Sequence, residues 1–449
     1  MTTATMSRYP AEYHTIATKL PGQDLPWLKA LRAQALEKFS INGFPSPRDE
    51  DWRYTNVSAI EKKLFCPLLE IKNFSSLKPV VAEWMKSYQL QDAWSVVLID
   101  GLFSAECSVL NGFPEAVSVM GMAEALSTQP ELVENYLGHA VKNSEHSFIA
   151  FNTAWFTDGL FVHVPAKQVL EKPIQVLHLN TQAENMATTR NVIIIDDMAE
   201  AQIIETYASS LSKDEANSYL TAAVTEVFVG RNANLTLFKM QCESEKAYHF
   251  GGIYVKEAQD ARFCHHNFAF GGLLARSDIH VDLGKASECE LNGLYLGVNR
   301  QHIDNHTRIN HLEPHASSRE MYKGVLDDRA RGVFQGRVIV AENAQKTDSQ
   351  MNNRNLLLSN EAEADTKPQL EIYADDVKCG HGVTVGQLDE KSIFYLQSRC
   401  IDEETARNML TFAFANEMVD KVEIKSLHDS VLEQVLARFP QEGVNKEWL

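Results

Sequence analysis

The sequence lacks long hydrophobic runs and an excess of positive charge. No stretch approaches the roughly 20 apolar residues of a membrane-spanning helix. The 42 lysines and arginines are outnumbered by 60 aspartates and glutamates, giving a net charge of −18, which argues against a phosphate-backbone partner. The opening MTTATMSRYP has no basic segment followed by an apolar one, so no secretory signal is expected. We therefore expect a cytoplasmic protein without nucleic acid or membrane partners.

Several motifs of nucleotide binding and catalysis are also missing. There is no G-x-x-x-x-G-K-[ST] phosphate loop, no G-x-S-x-G nucleophile elbow and no C-x-x-C pair. The sequence therefore indicates no nucleotide site of its own, and any ATP-driven step would need another subunit. The seven scattered cysteines do not have the spacing of a disulfide framework, which fits a reducing compartment.

The most informative segment present is KPQLEIYADDVKCGHG, from Lys367 to Gly382. Apolar and polar residues alternate in it, which is typical of a half-buried strand. If this alternation continues, Cys379 and His381 point to one face with Cα atoms roughly 7 Å apart. A thiolate and an imidazole so arranged can share one soft metal ion or cluster. Two ligands do not complete such a site, so another chain or a bound substrate must supply the rest.

A purely structural interpretation of the same residues stays open. Cysteine is among the residue types most often buried in protein cores. Gly380 and Gly382 flank His381 and can form a tight turn that closes the strand. In that case Cys379 and His381 only pack.

Three regions differ in their residue pattern. Residues 1–94 have helical spacing, and residues 389–449 are helical again. Between them, residues 95–388 contain short runs rich in β-branched and aromatic residues, separated by Asn, Gly, Asp and Ser clusters. This predicts a long all-β core, but no repeat period separates a sandwich from a barrel or a solenoid.

Helix signals are clearest near the two ends. Asp24 is the expected cap of an N-terminal helix that ends at Gly43. Asp402 is expected to cap a C-terminal helix, and Ser426 with Asp429 forms a capping box for the next one. The C-terminal helices carry more apolar residues than one stripe requires, so they either pack back on the core or offer a face to a partner.

The segment from Lys367 to Gly382 resembles the SufB/SufD family of iron–sulfur cluster assembly proteins. Its C-G-H-G ending is closer to the SufD branch than to the SufB branch. The resemblance includes HIDNHTRINHLEPHASSREMYKGVLDDRARGVFQGRVIVAENAQKTDSQMNNRNLLLS from His302 to Ser359, and residues 394–414. EDWRYTN, from Glu50 to Asn56, resembles the leader segment of the family. Cys400 is a departure, because glycine is expected there.

This resemblance implies a fold and a function. The fold is mainly β, a right-handed parallel β-helix core flanked by N-terminal and C-terminal helical regions. The function is that of a non-enzymatic scaffold that pairs with a SufB-like chain and binds a SufC-like ATPase through its C-terminal helices. A transient iron–sulfur cluster then forms at the interface, with His381 as the expected metal-binding residue and Cys379 as a secondary candidate.

Two other classes of protein share parts of this pattern. Carbohydrate-active β-helix enzymes also have short strands with exposed Asp, Arg and His residues, although they are usually secreted. A purely structural scaffold without ligand residues is the third class. For the Suf interpretation we expect a two-chain interface at the late β segment, residues 371–377, through which the chain alone homodimerises.

Other histidines and cysteines have no assigned role. On a strand, His302 and His306 share one face and His311 and His315 another, which favours a hydrogen-bonded ladder or an interface over a metal site. Adjacent His265 and His266 point to opposite faces. Cys264 shares the face of His266, in a weaker version of the Cys379 and His381 pair.

Overall fold

The computed structural model describes residues 8–71, 74–142, 146–211 and 218–438. These residues form ten α-helices and nineteen β-strands, with short 3₁₀ turns at Ala17–Lys19 and Glu50–Trp52. The helices are α1 (Tyr9–Ile16), α2 (Pro26–Asn42), α3 (Ser58–Lys62), α4 (Phe74–Tyr88), α5 (Met122–Thr128), α6 (Pro130–Glu134), α7 (Ser147–Trp155), α8 (Glu390–Gln397), α9 (Glu403–Val419) and α10 (Lys425–Leu436).

The strands lie between the helices α4 and α8. They are β1 (Trp94–Ile99), β2 (Leu102–Phe103), β3 (Ser118–Gly121), β4 (Leu160–Val164), β5 (Ile174–Asn180), β6 (Met186–Ile195), β7 (Glu200–Ser209), β8 (Leu220–Val229), β9 (Asn234–Cys242), β10 (Tyr248–Glu257), β11 (Arg262–Ala269), β12 (Leu274–Leu283), β13 (Glu288–Gly297), β14 (His302–His311), β15 (Ser317–Leu326), β16 (Arg331–Val340), β17 (Asp348–Leu357), β18 (Glu363–Ile372) and β19 (Lys378–Gly386). The division at residues 94 and 388 stays a prediction.

The strands form a parallel β-solenoid of about eight turns. Sheet A has the order β19-β17-β15-β13-β11-β9-β7-β5-β1-β2, and sheet B has the order β18-β16-β14-β12-β10-β8-β6-β4-β3. The chain therefore passes from one sheet to the other after each strand from β4 onward. Antiparallel pairing occurs at the N-terminal end, between β1 and β2 and between β3 and β4. The expected β-helix core with flanking helices is confirmed.

Register aligns the inward side chains of successive turns in rows. In sheet A, Leu235 lies beside Phe263, and Phe263 lies beside Cys289. All three belong to the main hydrophobic core between the sheets. Because side chains alternate along a strand, every second residue faces this core and the others face outward. A residue's face can therefore be assigned from its buried partner on the neighbouring strand.

Six turns that lead from sheet B to sheet A share a backbone feature. Each has a non-glycine residue with positive φ, at Met198, Asn232, Asp260, Ala286, His315 and Lys346. A small buried residue follows each one, namely Ala199, Ala233, Ala261, Ser287, Ala316 and Thr347. The backbone N–H of Asn232 donates to Gln259 of the next turn, and that of Asp260 donates to Lys285. The turns thus stack as the strands do.

Helices cover the outer faces of both sheets. The C-terminal helix α9 packs on β13 and β15 of sheet A. Buried Lys323 of β15 anchors it there by donating to the Phe414 carbonyl at 2.9 Å and pairing with Glu417. On sheet B, Trp52 and Phe148 stack with ring centroids 5.4 Å apart. In the described part of the chain, no helix has the length and apolar character required to cross a bilayer.

Candidate functional site at the open end of the solenoid

The last two strands leave one end of the solenoid open. β18 is the terminal strand of sheet B, and β19 is the terminal strand of sheet A. Within the described residues no strand pairs with their outer edges, which therefore present unpaired backbone groups to a further strand. Of the segment 371–377 expected to form an interface, only Glu371 and Ile372 lie in a strand. The edge is thus formed mainly by β18 and β19.

Cys379 and His381 both point between the two sheets at this open end. Cys379 lies beside Ser349 in the pairing of β17 with β19, and His381 lies beside Met351. Ser349 and Met351 are each 1% exposed. Since partners in register point to the same face, the two side chains of β19 continue the inward rows of the core. The structure therefore places both predicted ligands on one face, where the core meets solvent.

The two side chains differ in burial. Cys379 is half-buried and packs against the main core, whereas His381 is exposed. Burial raises the pKa of the Cys379 thiol, a hydrogen bond from the Ser349 backbone lowers this pKa, and Asp348 raises it. The net shift is upward, so the thiol is protonated at neutral pH and the exposed imidazole is the more accessible ligand.

Gly380 and Gly382 lie within β19 and do not form a turn. A Cβ at Gly380 would lie 3.2 Å from Gln350 Oε1, and one at Gly382 would lie 2.9 Å from Asn352 Oδ1. A larger residue at either position would therefore displace a polar side chain of β17. The glycines make room on the outer face while Cys379 and His381 occupy the inner one.

Apolar residues surround the two candidate ligands. Four large hydrophobic side chains at this end are exposed: Ile372 (40%), Tyr373 (64%), Val383 (38%) and Val385 (44%). Val383 and Val385 lie beside Asn353 and Asn355 of β17, both buried. The open end is thus an uncovered cross-section of the solenoid core, and solenoids need such ends to be capped.

The described residues do not supply a complete metal site. No group of three or more His, Cys, Asp or Glu side chains within them is arranged to hold a metal ion. Cys379 and His381 together offer one sulfur and one imidazole nitrogen, which is two ligands fewer than a tetrahedral site requires. The described residues thus supply at most half of a tetrahedral site.

Comparison with known proteins places these features in a family. Residues 178–414 match the description "SUF system FeS cluster assembly, SufBD core domain", and residues 3–176 match "SufBD protein N-terminal region". The chain belongs to the SufBD family. An iron–sulfur cluster assembly SufBD family protein of Synechocystis sp. is 31% identical over 403 residues, which covers 88% of this chain and 87% of the relative.

Relatives that carry the name SufD include one from Escherichia coli and one from Bacillus subtilis. The SufD protein of Escherichia coli is 31% identical over 414 residues, covering 91% of this chain and 92% of the relative. The SufD protein of Bacillus subtilis is 24% identical over 417 residues, covering 90% of this chain and 92% of the relative. The similarity extends over nearly the whole length of these proteins, in agreement with the SufD-like C-G-H-G ending.

The histidines from 302 to 315 do not form a ligand array in this SufBD-family chain. His302 and His306 lie on the outer face of β14, where His306 Nε2 is 2.9 Å from Asp304 Oδ1. His311 is fully buried and faces the core, whereas His315 is exposed in the following turn. The expectation that His311 and His315 share a face is wrong, because β14 ends at His311 and alternation ends with it.

Cys264 and His266 form a close pair beneath the C-terminal helices. Cys264 Sγ lies 3.3 Å from His266 Nε2 on the outer face of β11, and His265 faces the core. Burial raises the pKa of Cys264 to about 12 and lowers that of His266 to about 4. Both groups are neutral at physiological pH, which fits a packed pair.

Sequence reasoning gave no structural role to the segment Glu50–Asn56, which crosses the outer face of sheet B. The guanidinium of Arg276 lies over Trp52, with its Cζ atom 3.6 Å from the centroid of the Trp52 ring. Thr55 donates to Asp304 at 2.5 Å, and Lys367 of β18 donates to Glu50 at 2.6 Å. This family segment therefore ties the N-terminal region to the edge strand. The sequence did contain a signal for this role, namely a seven-residue run that mixes aromatic and charged residues.

The C-terminal helices pack back on sheet A. Met418, Val419 and Leu427 are buried in a hydrophobic cluster with residues of that sheet, such as Phe268 and Leu294. Helix α8 differs, because Phe394 and Tyr395 are 71% and 55% exposed. Phe394 and Tyr395 thus form an exposed aromatic patch on α8.

Proposed function

We propose that this chain is a non-enzymatic scaffold subunit of the Suf iron–sulfur cluster assembly machine, paired with a SufB-like chain. The observation that carries this proposal is the open end of the solenoid. It combines two unpaired strand edges, an exposed apolar core and two inward-facing ligand residues in one place. Membership of the SufBD family supports an assembly role, whereas the carbohydrate-active alternative has only the solenoid in its favour.

The open end suits a second solenoid as its partner. Strand edges bind other strands through backbone hydrogen bonds, and the exposed side chains of Ile372, Val383 and Val385 would be buried by a similar apolar surface. A SufB-like chain with its own open end meets both requirements. A second copy of this chain also meets them, which supports homodimerisation when the chain is alone.

His381 is proposed to bind iron of a nascent cluster at this interface, with Cys379 as a secondary ligand. The cluster is the cargo of the complex, and the SufB-like chain would supply the missing ligands. A neutral imidazole can bind iron directly or donate a hydrogen bond to a cluster sulfide. The exposed position of His381 supports this role, since the thiol of Cys379 must first lose a proton.

The C-terminal helical region is proposed to bind a SufC-like ATPase. The sequence contains no phosphate loop, so nucleotide hydrolysis belongs to another subunit in this proposal. Helix α8 presents Phe394 and Tyr395, with Arg399 lying 4.6 Å over the Tyr395 ring. These residues supply an apolar contact and a positive charge on one surface.

Anaerobic co-expression tests the proposal. The chain is co-expressed with SufB-like and SufC-like subunits, and the purified complex is analysed for composition, iron and acid-labile sulfide. We expect a stable complex of the three proteins that retains iron and sulfide. Isolation of the chain without its partners, or an intact complex that never carries iron, would contradict the proposal.

A further inference from the structure

A cavity of about 940 Å³ lies between the outer face of sheet B and the N-terminal region. Strands β10, β12 and β14 form its floor, and Asp49, Asp51 and Trp52 contribute one wall. The open end of the solenoid is formed by other strands, β18 and β19. Pockets that bind small molecules have volumes of roughly 300–1,000 Å³, so this cavity has the size of a ligand site separate from the open end.

Six outward-facing side chains form the floor of this cavity in two parallel rows. Each row takes one side chain from each of the strands β10, β12 and β14, which lie side by side in register. Side chains two positions apart on a strand share a face, so both rows face the cavity. The first row is Tyr254, His280 and Arg308, and the second row is Lys256, Asp282 and Asn310.

Arg308 differs from the other arginines of sheet B. The strands of this sheet contain five arginines. Among the described residues, no carboxylate pairs with half-buried Arg308, whose Nε donates to Asn310 Oδ1 at 3.0 Å and whose Nη atoms have no acceptor. The other four, which all pair with carboxylates, are Arg190, Arg276, Arg331 and Arg337.

The carboxylates around the cavity are held by other donors. Asp282 Oδ1 accepts from Asn310 Nδ2 at 2.7 Å, and Asp51 Oδ1 accepts from Gln335 Nε2 at 2.9 Å. Asp49 Oδ2 accepts from a backbone N–H at 2.7 Å. The guanidinium on the floor therefore keeps free donors and a positive charge inside a cavity, which is an arrangement suited to an anion.

His280 and a set of apolar residues complete the lining. The His280 ring packs against Tyr254 with ring centroids 4.8 Å apart. Burial lowers the pKa of His280 to about 4, so the ring is neutral at physiological pH and has one donor and one acceptor. Leu312 and Ile339 give the cavity an apolar side. A ligand that matches this lining has an anionic group and an apolar group.

We propose that this cavity binds a small organic anion, with Arg308 as its main anion-binding residue. The planar guanidinium presents paired donors that match a carboxylate or a phosphate group. His280 adds a neutral hydrogen bond, and Ile339 contacts the apolar part of the ligand. The site is contained in this chain and needs neither a SufB-like nor a SufC-like partner.

Titration of the full chain with three related probes tests the proposal. The probes are benzoate, phenyl phosphate and neutral benzamide, and binding is followed by ligand-observed saturation-transfer NMR at constant ionic strength. We expect at least one of the two anions to bind saturably and benzamide to bind at least tenfold more weakly, since a hydrogen bond to a charged group is worth roughly that factor. The tighter anion identifies the acidic group that the site prefers.

Two variants assign the binding to Arg308. Arg308→Gln should weaken anion binding by roughly tenfold or more, and its thermal unfolding shows whether it is folded. Arg300→Gln, an exposed change in the turn between β13 and β14, should bind as the wild type does.

Three results would overturn the proposal. They are equal binding of benzamide and the anions, equal affinity of Arg308→Gln and the wild type, and no binding of either anion up to roughly 10 mM, which is the range of very weak sites. The first and third results are obtained on the wild-type chain and do not depend on how a variant folds. None of the three bears on partner binding or iron loading, which are measured separately.

Discussion

His381 and Cys379 lie two residues apart, but their physical states differ. The imidazole of His381 is exposed at the surface of the open end. The thiol is half-buried, and its pKa is raised by that burial. Thiolates are intrinsically the stronger ligands for soft metals, yet the structure makes the thiolate of Cys379 the costlier form. The expected order of the two residues in cluster assembly therefore has a physical basis.

The first prediction compares these two residues. His381→Ala should leave the complex with SufB-like and SufC-like subunits intact but strongly lower its iron and sulfide content, because an accessible ligand is lost with little apolar volume. Cys379→Ala should have a smaller effect. Iron and sulfide analysis of anaerobically purified complexes measures both. His14→Ala, an exposed histidine on α1, is the control, and wild-type loading of the His381→Ala complex would refute the role of His381.

A second residue-scale prediction concerns pH. Burial raises the pKa of Glu320 from its ordinary 4.5 to about 7, and the neighbouring hydroxyl of Thr307 lowers it only in part. Because the folded pKa is raised, Glu320 favours the folded state below about pH 4.5 relative to higher pH, and this contribution is lost as pH rises through 7. Glu320→Gln should therefore be more stable than wild type at pH 8 by roughly 3 kcal/mol.

Urea unfolding at pH 5 and pH 8 measures this difference. At pH 5 the difference should shrink to about 1 kcal/mol or less, since Glu320 is then neutral in the folded wild type and only the unfolded state is largely ionised. Glu313→Gln, an exposed change in a turn, should show no such pH dependence. Equal stability of Glu320→Gln and wild type at pH 8 would mean that Glu320 is charged inside the fold at little cost.

At the residue scale, the sequence correctly predicted which side chains share a face of a strand as long as the strand continues. The prediction failed where the strand ends. Cys379 and His381 lie within one strand, so a period of two places them together. His311 and His315 have the spacing for one face, but β14 ends between them and His315 adopts φ 67° in the turn. The position at which a strand ends depends on the stacking of neighbouring turns. A single alternating segment carries no information about that stacking.

At the scale of elements, the repeat was present in the sequence but hard to see. It lies in the turns, where a residue with positive φ precedes a small buried one, as in Asn232-Ala233 and Asp260-Ala261. Aspartate and asparagine tolerate that conformation, but methionine, lysine and histidine occupy it elsewhere in this chain. Spacings between successive turns also vary, from 26 residues for Asp260 to Ala286 to 34 for Met198 to Asn232. The strand pattern therefore predicted a β core but did not reveal the length of its repeat.

The helix ends show which local sequence signals are sufficient to predict where a helix begins or ends. Asp402 accepts a hydrogen bond from Thr405 N at 2.9 Å and caps α9 as predicted. Gly43 ends α2 with φ 63°, also as predicted, but the cap residue of that helix is Leu25 and not Asp24. The capping box at Ser426 is wrong, because Ile424 is the cap of α10. Leu427, in the first turn of α10, is buried in the hydrophobic cluster shared with sheet A.

The third prediction concerns the strand edges. Val385→Asp should weaken pairing with a SufB-like chain by roughly 100-fold or more, because it buries a carboxylate in an apolar interface. The isolated chain should remain folded, since Val385 is 44% exposed. Affinity is measured by surface plasmon resonance or analytical ultracentrifugation. Val80→Asp on α4 is a matched control with 41% exposure, and equal binding by both variants would exclude this end as the interface.

The fourth prediction separates the two partner surfaces. Replacing Phe394 and Tyr395 with alanine should strongly reduce co-purification of a SufC-like ATPase, because α8 loses its exposed aromatic side chains. Tyr373→Ala, at the open end, should affect only the SufB-like partner. Point substitutions are preferable to deletion of the C-terminal helices, since α9 and α10 share a hydrophobic core with sheet A. ATPase binding that withstands the double substitution would place the docking surface elsewhere.

At the scale of the whole molecule, the two ends of the solenoid differ. The N-terminal end is closed by the antiparallel pairs of β1 with β2 and β3 with β4. The C-terminal end has no such closure among the described residues, although the segment Glu50–Asn56 reaches its edge through the 2.6 Å contact of Glu50 with Lys367. The described chain is thus capped at one end, and its uncapped end is the surface at which we propose that a partner solenoid docks.

The last prediction follows from combining this open end with the net charge. Two copies that meet at their open ends each carry a charge of −18, so long-range repulsion opposes the homodimer while apolar burial favours it. The Debye length falls from about 30 Å at 0.01 M salt to about 10 Å at 0.1 M, which screens repulsion between the bodies but not the apolar contact. Homodimerisation should therefore strengthen as salt is raised through this range. Sedimentation equilibrium of the isolated chain measures the effect, and a homodimer that dissociates with added salt would show that ion pairs across the interface dominate instead.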